Sequence, residues 1–367
     1  MRIRSPIRSC GHSLVEVLVG ALIGLLTVLV IYQVFAVAEG FKRNTTGAAD
    51  AQQNGLFSLF TLGIELANAG NGLATAATEL DSCPDTGDIR TSMRPLPVLI
   101  TDGADLQPAR PNADAFVASY GAASRRVSPA EVVETAAAGA AEVRVRSPAG
   151  FRKGDLVVAI AAPAAGHAVG RCERRTVAAV SAADQGGIVT LTLDSPTAAL
   201  SGQSVLLDLG PAAQARRVLY DVSGDVLRST DLLVAGAVAN PLASNVVVMK
   251  LQYGIDGDGD GFLDRWVGGT GDWSPDKVMA MPMHPAAGAP DAPAIVRIKA
   301  VRLGVVVRSE QFDRDVTAPY GWTLFDCSET DRSACPGRLT GTLPANWRYR
   351  TYETVIPLRN QIWNSPA

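Results

Sequence analysis

Between Val17 and Ala38 the chain carries no charged side chain, and the polar exceptions are Thr27 and Gln33. A helix of about 22 residues, rising about 1.5 Å per residue, covers the roughly 30 Å of a bilayer hydrocarbon core. Gly20 and Gly24 lie inside this run, and glycine is tolerated in membrane helices. After Lys42 and Arg43 the pattern turns amphipathic. Phe57 with Phe60, and Leu59 with Leu62 and Leu66, are helix-spaced apolar sets, with Ile64 between them. No proline interrupts Val15 to Ala69, so the pattern allows one long helix, loosened at Gly40 and Gly47 and stopped by Gly70-Asn71-Gly72.

Beyond residue 71 the texture changes to short β-branched runs punctuated by Gly, Pro and Asp. Strands are predicted over 95–101, 115–120, 142–146, 155–160, 174–181, 188–193, 245–253, 295–309 and 349–358. Segments 122–141 and 196–204 are Ala/Ser/Gly-rich and predict loops, as does the proline-rich 283–294. The close spacing of strands from 142 to 208 predicts a small inserted β-module.

Composition narrows the class. At 367 residues the chain is long enough for two domains or one with a large insertion. Lys+Arg total 33 against 36 Asp+Glu, with no basic block, so no nucleic-acid footprint is indicated. Of five cysteines, Cys10 precedes the apolar run, leaving Cys83, Cys172, Cys327 and Cys335. No CxxC or CxxH spacing argues for zinc, and an even remainder in an exported chain points to disulfides. Cys327 and Cys335 are near enough to close a small loop, which leaves Cys83 for Cys172; four free or partly paired thiols are the alternative.

Residues Met1–Cys10 contain Arg2, Arg4 and Arg8 and no acid, favouring a cytoplasmic leader. A secretory signal cut after Ala36-Val37-Ala38 is disfavoured, because the apolar region exceeds the roughly 7–15 residues of such a signal. A plain anchor accounts for the length but not for Glu16 at the head of the run, where a carboxylate is costly. Ser13-Leu14-Val15-Glu16 fits a capping box, which would make the acid harmless but gives no reason for Gly11.

Gly11-His12-Ser13-Leu14-Val15-Glu16 resembles the class III signal of type IV prepilins and type II secretion pseudopilins. The resemblance implies cleavage between Gly11 and His12 by a prepilin peptidase and N-methylation of the new first residue. It also implies an assembly role for Glu16, whose carboxylate in an apolar bundle needs a partner such as a neighbour's terminal amine. His12 departs from the family's usual Phe or Met.

The body resembles PilW-type minor pilins. The residues that carry this are Gln52-Gln53-Asn54-Gly55-Leu56-Phe57-Ser58-Leu59 running to Gly70, Gly150-Phe151-Arg152-Lys153-Gly154-Asp155-Leu156-Val157, Tyr253-Gly254-Ile255-Asp256, and Val355-Ile356-Pro357-Leu358-Arg359-Asn360. The resemblance implies an α+β pilin-like fold, a long N-terminal helix packed on an antiparallel β-rich head. The chain then divides into a leader (1–11), a transmembrane filament helix (12–38), its amphipathic half (39–70) and a periplasmic head (71–367). Implied partners are other minor pilins, the major pilin, the prepilin peptidase, the inner-membrane assembly platform and the lipid bilayer. The implied role is priming type IV pilus assembly, with effects on twitching motility and adhesion. A J-like type II secretion pseudopilin and a membrane-anchored calcium-dependent adhesin are the competing readings. Pro357 within the last strand fits an edge position.

Asp256, Asp258, Asp260 and Asp264 stand at alternate or near-alternate positions among glycines, with Phe262 able to offer a carbonyl. Such hard oxygen ligands suit Ca²⁺, and the spacing follows an EF-hand loop as far as its ninth position. The twelfth position is Val267 rather than Glu. Clustered carboxylates without a cation are costly, which favours calcium over an ordinary Asp/Gly hairpin connection. Enzymatic signals are poor: His12, His167 and His284 are the histidines, and none sits in a triad, HExxH or phosphate-loop motif. The aromatics Trp266, Trp273, Trp322 and Trp347 fit either a partner face or packing.

Overall fold

The computed structural model describes residues 13–73, 79, 83, 96–122, 128–147, 150–162, 171–286, 288–289, 292–327 and 337–362. The leader, with Cys10, Gly11 and His12, lies outside the described residues, as do His167 and Cys335.

Helix α1 runs without a break over Leu14–Asn68. The expected loosening at Gly40 and Gly47 does not occur. A helical glycine costs only about 1 kcal/mol, and Gly47 serves close approach, since a Cβ there would lie 3.3 Å from that of Ser309. The first half of α1 is exposed all round. The second half buries a stripe of Gly47, Ala51, Gly55, Ser58, Leu62, Leu66 and Ala69, in steps of three and four. Phe57 and Phe60, a helix-spaced apolar pair, are 47% and 69% exposed. The head approaches too closely for large side chains along most of the stripe, so the small residues face inward and the phenylalanines outward. Gly70 (φ 83°) and Gly72 (φ 74°) end the helix, and Gly70 N donates to Ser119 O at 2.9 Å.

The head is antiparallel throughout its strand pairs. One sheet joins β1 (Val98–Thr101), β2 (Ala115–Tyr120), β9 (Arg216–Ser223), β10 (Val226–Asp231) and β11 (Asn240–Ser244), in that order. A second is ordered β13 (Arg265–Val267), β12 (Val246–Ile255), β14 (Ile298–Arg308), β17 (Tyr349–Pro357). Pro357 therefore lies on an edge strand, opposite Ala300. Leu62, Leu66 and Ala69 join these two sheets in a single core that includes Phe116, Tyr253 and Val301. A two-stranded ribbon, β15 (Tyr320–Leu324) with β16 (Leu339–Leu343), covers a smaller core around Val248, Val306 and Trp322.

The remaining strands form an inserted barrel between β2 and β9. The order is β3 (Ala130–Glu131), β8 (Val205–Pro211), β5 (Asp155–Ile160), β6 (Cys172–Val180), β7 (Ile188–Leu193), β4 (Glu142–Arg146). A bridge between Val132 and Val145, with Val133 N donating to Arg144 O at 2.9 Å, returns the chain from β4 to β3 and closes the ring. Val132, Val143, Val157, Leu191 and Leu206 fill the interior. Segment 122–141, expected to be loop, thus supplies the closing strand.

Candidate functional site: the filament helix and the aspartate loop

The first turn of α1 is built on Ser13, whose extended backbone offers its carbonyl to Glu16 N at 2.9 Å and Val17 N at 3.2 Å. The expected capping box is absent: the Ser13 hydroxyl makes no cap hydrogen bond. The backbone carbonyl takes these amides instead, so no local cap ties down Glu16. Its side chain is exposed on a helix whose neighbouring positions are all apolar. Among the described residues, α1 is the one helix long and apolar enough to cross a membrane, with a mean hydropathy of 2.8 over its most apolar window.

The aspartates lie at the other end of the head. The pairs Tyr253↔Val267, Gly254↔Trp266 and Ile255↔Arg265 make 256–264 the connection of the β12–β13 hairpin. Ile255 pairs with Ile298 at the end of β14 where Leu358 N meets Lys299 O, close to the C-terminal end of α1. Asp256 is 1% exposed. Its Oδ1 accepts from Gly259 N at 2.6 Å and its Oδ2 from Gly261 N at 3.2 Å. Gly259 and Gly261 both have left-handed backbones (φ 84° and 94°), which turn those amides inward. Asp258 accepts from Asp260 N at 3.2 Å, Asp260 from Phe262 N at 2.8 Å, and Asp264 from Gly257 N. Carboxylate oxygens of Asp256, Asp258 and Asp260 lie within 4.8 Å of one another.

The structure adds two cations that the sequence spacing did not reveal. Arg297 Nη1 lies 3.8 Å from Asp256 Oδ1, and Lys299 Nζ lies 4.0 Å from Oδ2. Burial pulls Lys299 below the usual lysine value, against the Asp256 charge that holds it up. The buried acid already faces two positive groups, and the exposed Asp258 and Asp260 are solvated. Phe262 and Asp264 are also exposed. The alternation of Arg297 and Lys299 entering β14 was the available signal, but only the β12–β14 register brings it to Asp256.

Cys83 and Cys172 form a disulfide with Cα atoms 5.3 Å apart, tying the stretch after α1 to barrel strand β6. Cys327 is disulfide-bonded; Cys335, its expected partner, lies outside the described residues. Trp273 and Trp322 are buried, not surface aromatics. Trp266 stacks on the Arg302 guanidinium at 4.8 Å. His284 Nδ1 is buried without a hydrogen-bond partner among the described residues.

Residues 219–360 match the family model of the Type IV Pilus-assembly protein W, PilW. Over that segment the chain is similar to the PilW family. The PilW segment begins inside β9 and ends just after β17, so it takes in the aspartate loop and the sheet on which α1 packs, and leaves out α1 and the barrel. This similarity points to a part in type IV pilus assembly, with pilus components as partners. No curated protein and no solved structure matches the chain.

Proposed function

We propose that this chain is a minor pilin that enters the inner membrane through α1, is cut after Gly11, and joins the complex that initiates the pilus. What supports this most is one combination: a PilW segment on the head and an apolar first half of α1, exposed all round, with Glu16 at its start. In this reading α1 supplies hydrophobic filament packing. Glu16, held by no local cap, supplies register by meeting the amine of a neighbouring subunit. The head contacts other minor pilins, and twitching motility and adhesion depend on the result. The work is non-covalent, without catalysis. Calcium held by Asp256, Asp258 and Asp260, with Asp264 and the Phe262 carbonyl, is part of the proposal; the grouping of three carboxylates supports it.

The mass of the protein made with and without prepilin peptidase tests processing: loss of residues 1–11 is expected, and an unchanged mass overturns the pilin reading. A deletion strain then separates pilus from secretion system. Loss of surface pili is expected; loss of enzyme secretion with pili intact would favour the pseudopilin.

A further inference from the structure

A hollow of about 500 Å³ lies between α1 and the base of the head, lined by Gly40 and Gly47 on the helix and by Ser309, Phe312, Asp313 and Arg314 on the facing loop. Gly40 stands two residues beyond Ala38, where the apolar run ends, and Gly47 nine beyond. At about 1.5 Å per residue, the hollow spans roughly 3–14 Å above the hydrocarbon boundary of a membrane crossed by α1. The headgroup zone reaches about 5–7 Å above that boundary, so it takes in the Gly40 end of the hollow and not the Gly47 end.

The loop lining the hollow leaves Gly47 at Ser309 and presents Phe312, 54% exposed, and Arg314, which is exposed and makes no ion pair among the described residues, with the exposed Glu310 and Asp315 on either side. It is not loosely hung. Asp313 N donates to Asn346 O at 2.8 Å, Asn346 N to Val316 O at 2.7 Å, and Arg348 Nε to Asp313 Oδ2 at 2.8 Å. Phe312 stands edge-on to Trp347 at 5.7 Å, and Arg308 lies 4.0 Å from the Trp347 ring. An exposed phenylalanine on a loop with this many anchors is held out by the fold. An exposed aromatic ring beside an exposed arginine is a pairing suited to a membrane interface, where rings sit among headgroups and guanidinium groups reach phosphate.

We propose that the loop 309–316 rests on the phospholipid headgroups from which α1 emerges, with Phe312 toward the acyl boundary and Arg314 on phosphate. This contact sets the tilt of the head while the subunit waits in the membrane. The inference rests on the reading of α1 as membrane-inserted, and the test separates the two. In a Cys10→Ser background, the full chain carrying Phe312→Cys, Leu29→Cys or Val238→Cys is labelled with an environment-sensitive fluorophore. Each is reconstituted in phosphatidylethanolamine–phosphatidylglycerol vesicles with or without a nitroxide lipid. Val238, 80% exposed in the β10–β11 connection, reports on the head away from this loop.

Quenching at residues 29 and 312 at least twofold stronger than at 238 is the expected result. Quenching at 29 with 312 matching 238 would overturn the lipid contact while leaving insertion intact. Absence of quenching at 29 would remove insertion and this inference together. Shielding at 312 that follows protein density rather than nitroxide content would assign the loop to a second copy and overturn the lipid contact.

Discussion

Gly55 of α1 lies against the ring of Tyr352 on β17, and there is no room between them for even a methyl group. The tyrosine thus occupies the place a helix side chain would take, and the helix seats on the sheet at backbone distance. Gly55→Leu should force the two apart and destabilise the head by about 1–3 kcal/mol, the usual cost of overpacking. Chemical denaturation of the detergent-solubilised protein measures it. Gln52→Leu, one turn-face away and exposed, should leave the midpoint unchanged.

Tyrosines give the head an alkaline limit. Burial pushes Tyr120, Tyr220 and Tyr253 well above the ordinary phenol value, and for the first two the Glu65 charge adds to it. Tyr120 donates to Glu65 Oε2 at 2.9 Å, and Ile100 N donates to the Tyr253 oxygen at 2.5 Å. The native state keeps these protons at a pH where the unfolded chain loses them. Their contribution is complete below about pH 10 and is lost as pH climbs beyond it. Absorbance at the tyrosinate band should show these three of the seven tyrosines ionising only together with unfolding. Smooth titration of all seven near pH 10 in folded protein would contradict it.

The Cys83–Cys172 link joins the chain just after α1 to the barrel, 89 residues on. Cys172→Ser with Cys83→Ser should cost about 2–4 kcal/mol, chiefly by freeing the unfolded chain. The loss should appear as a lower melting temperature measured without reductant.

Calcium binding by 256–264 has a direct thermal signature. At calcium tenfold above its dissociation constant the native state gains about 1.4 kcal/mol, a melting rise of roughly 2 °C or more. Asp258→Asn with Asp260→Asn should abolish the rise. Because Arg297 and Lys299 already face Asp256, the double variant should fold normally without calcium. No shift at millimolar calcium in the parent protein would remove the metal from the proposed function.

The sequence was most legible where side chains answer to one environment. The strands Ala115–Tyr120, Glu142–Arg146, Asp155–Ile160 and Ile188–Leu193 coincide with the predicted runs, and their β-branched content is what a sheet core demands. The β9–β10 hairpin was hidden because its polar members are not solvent-facing markers of loop. Asp221 is shared by Arg110 and Arg228, a network satisfied only across strands. The Gly224-Asp225 turn between them, both residues at φ near 60°, was the usable signal. In the ribbon, Gly321 and Gly341 read as breakers, yet a Cβ at Gly341 would collide with the Trp322 ring. On α1 the helix-spaced apolar sets do not by themselves mark the packed face; Gly47, Ala51 and Gly55 at four-residue steps mark the closer contact. Glu16 was legible as a position; its freedom from a local cap was not.

The closed ring of β3 to β8 bears on how so large a head can travel in an assembling fibre. A strand with both flanks already hydrogen-bonded cannot recruit a stranger, so the insertion adds bulk without adding adhesive edges. Its entry and exit are neighbours: Ala122 N donates to Leu209 O at 2.7 Å. The barrel is thus carried at one hinge point, by one sulfur clasp and by an apolar patch where Leu73 and Leu233 meet Val158, Ile160 and Leu207. Open edges for company remain elsewhere on the head, at β1 and β11 in one sheet and β13 and β17 in the other.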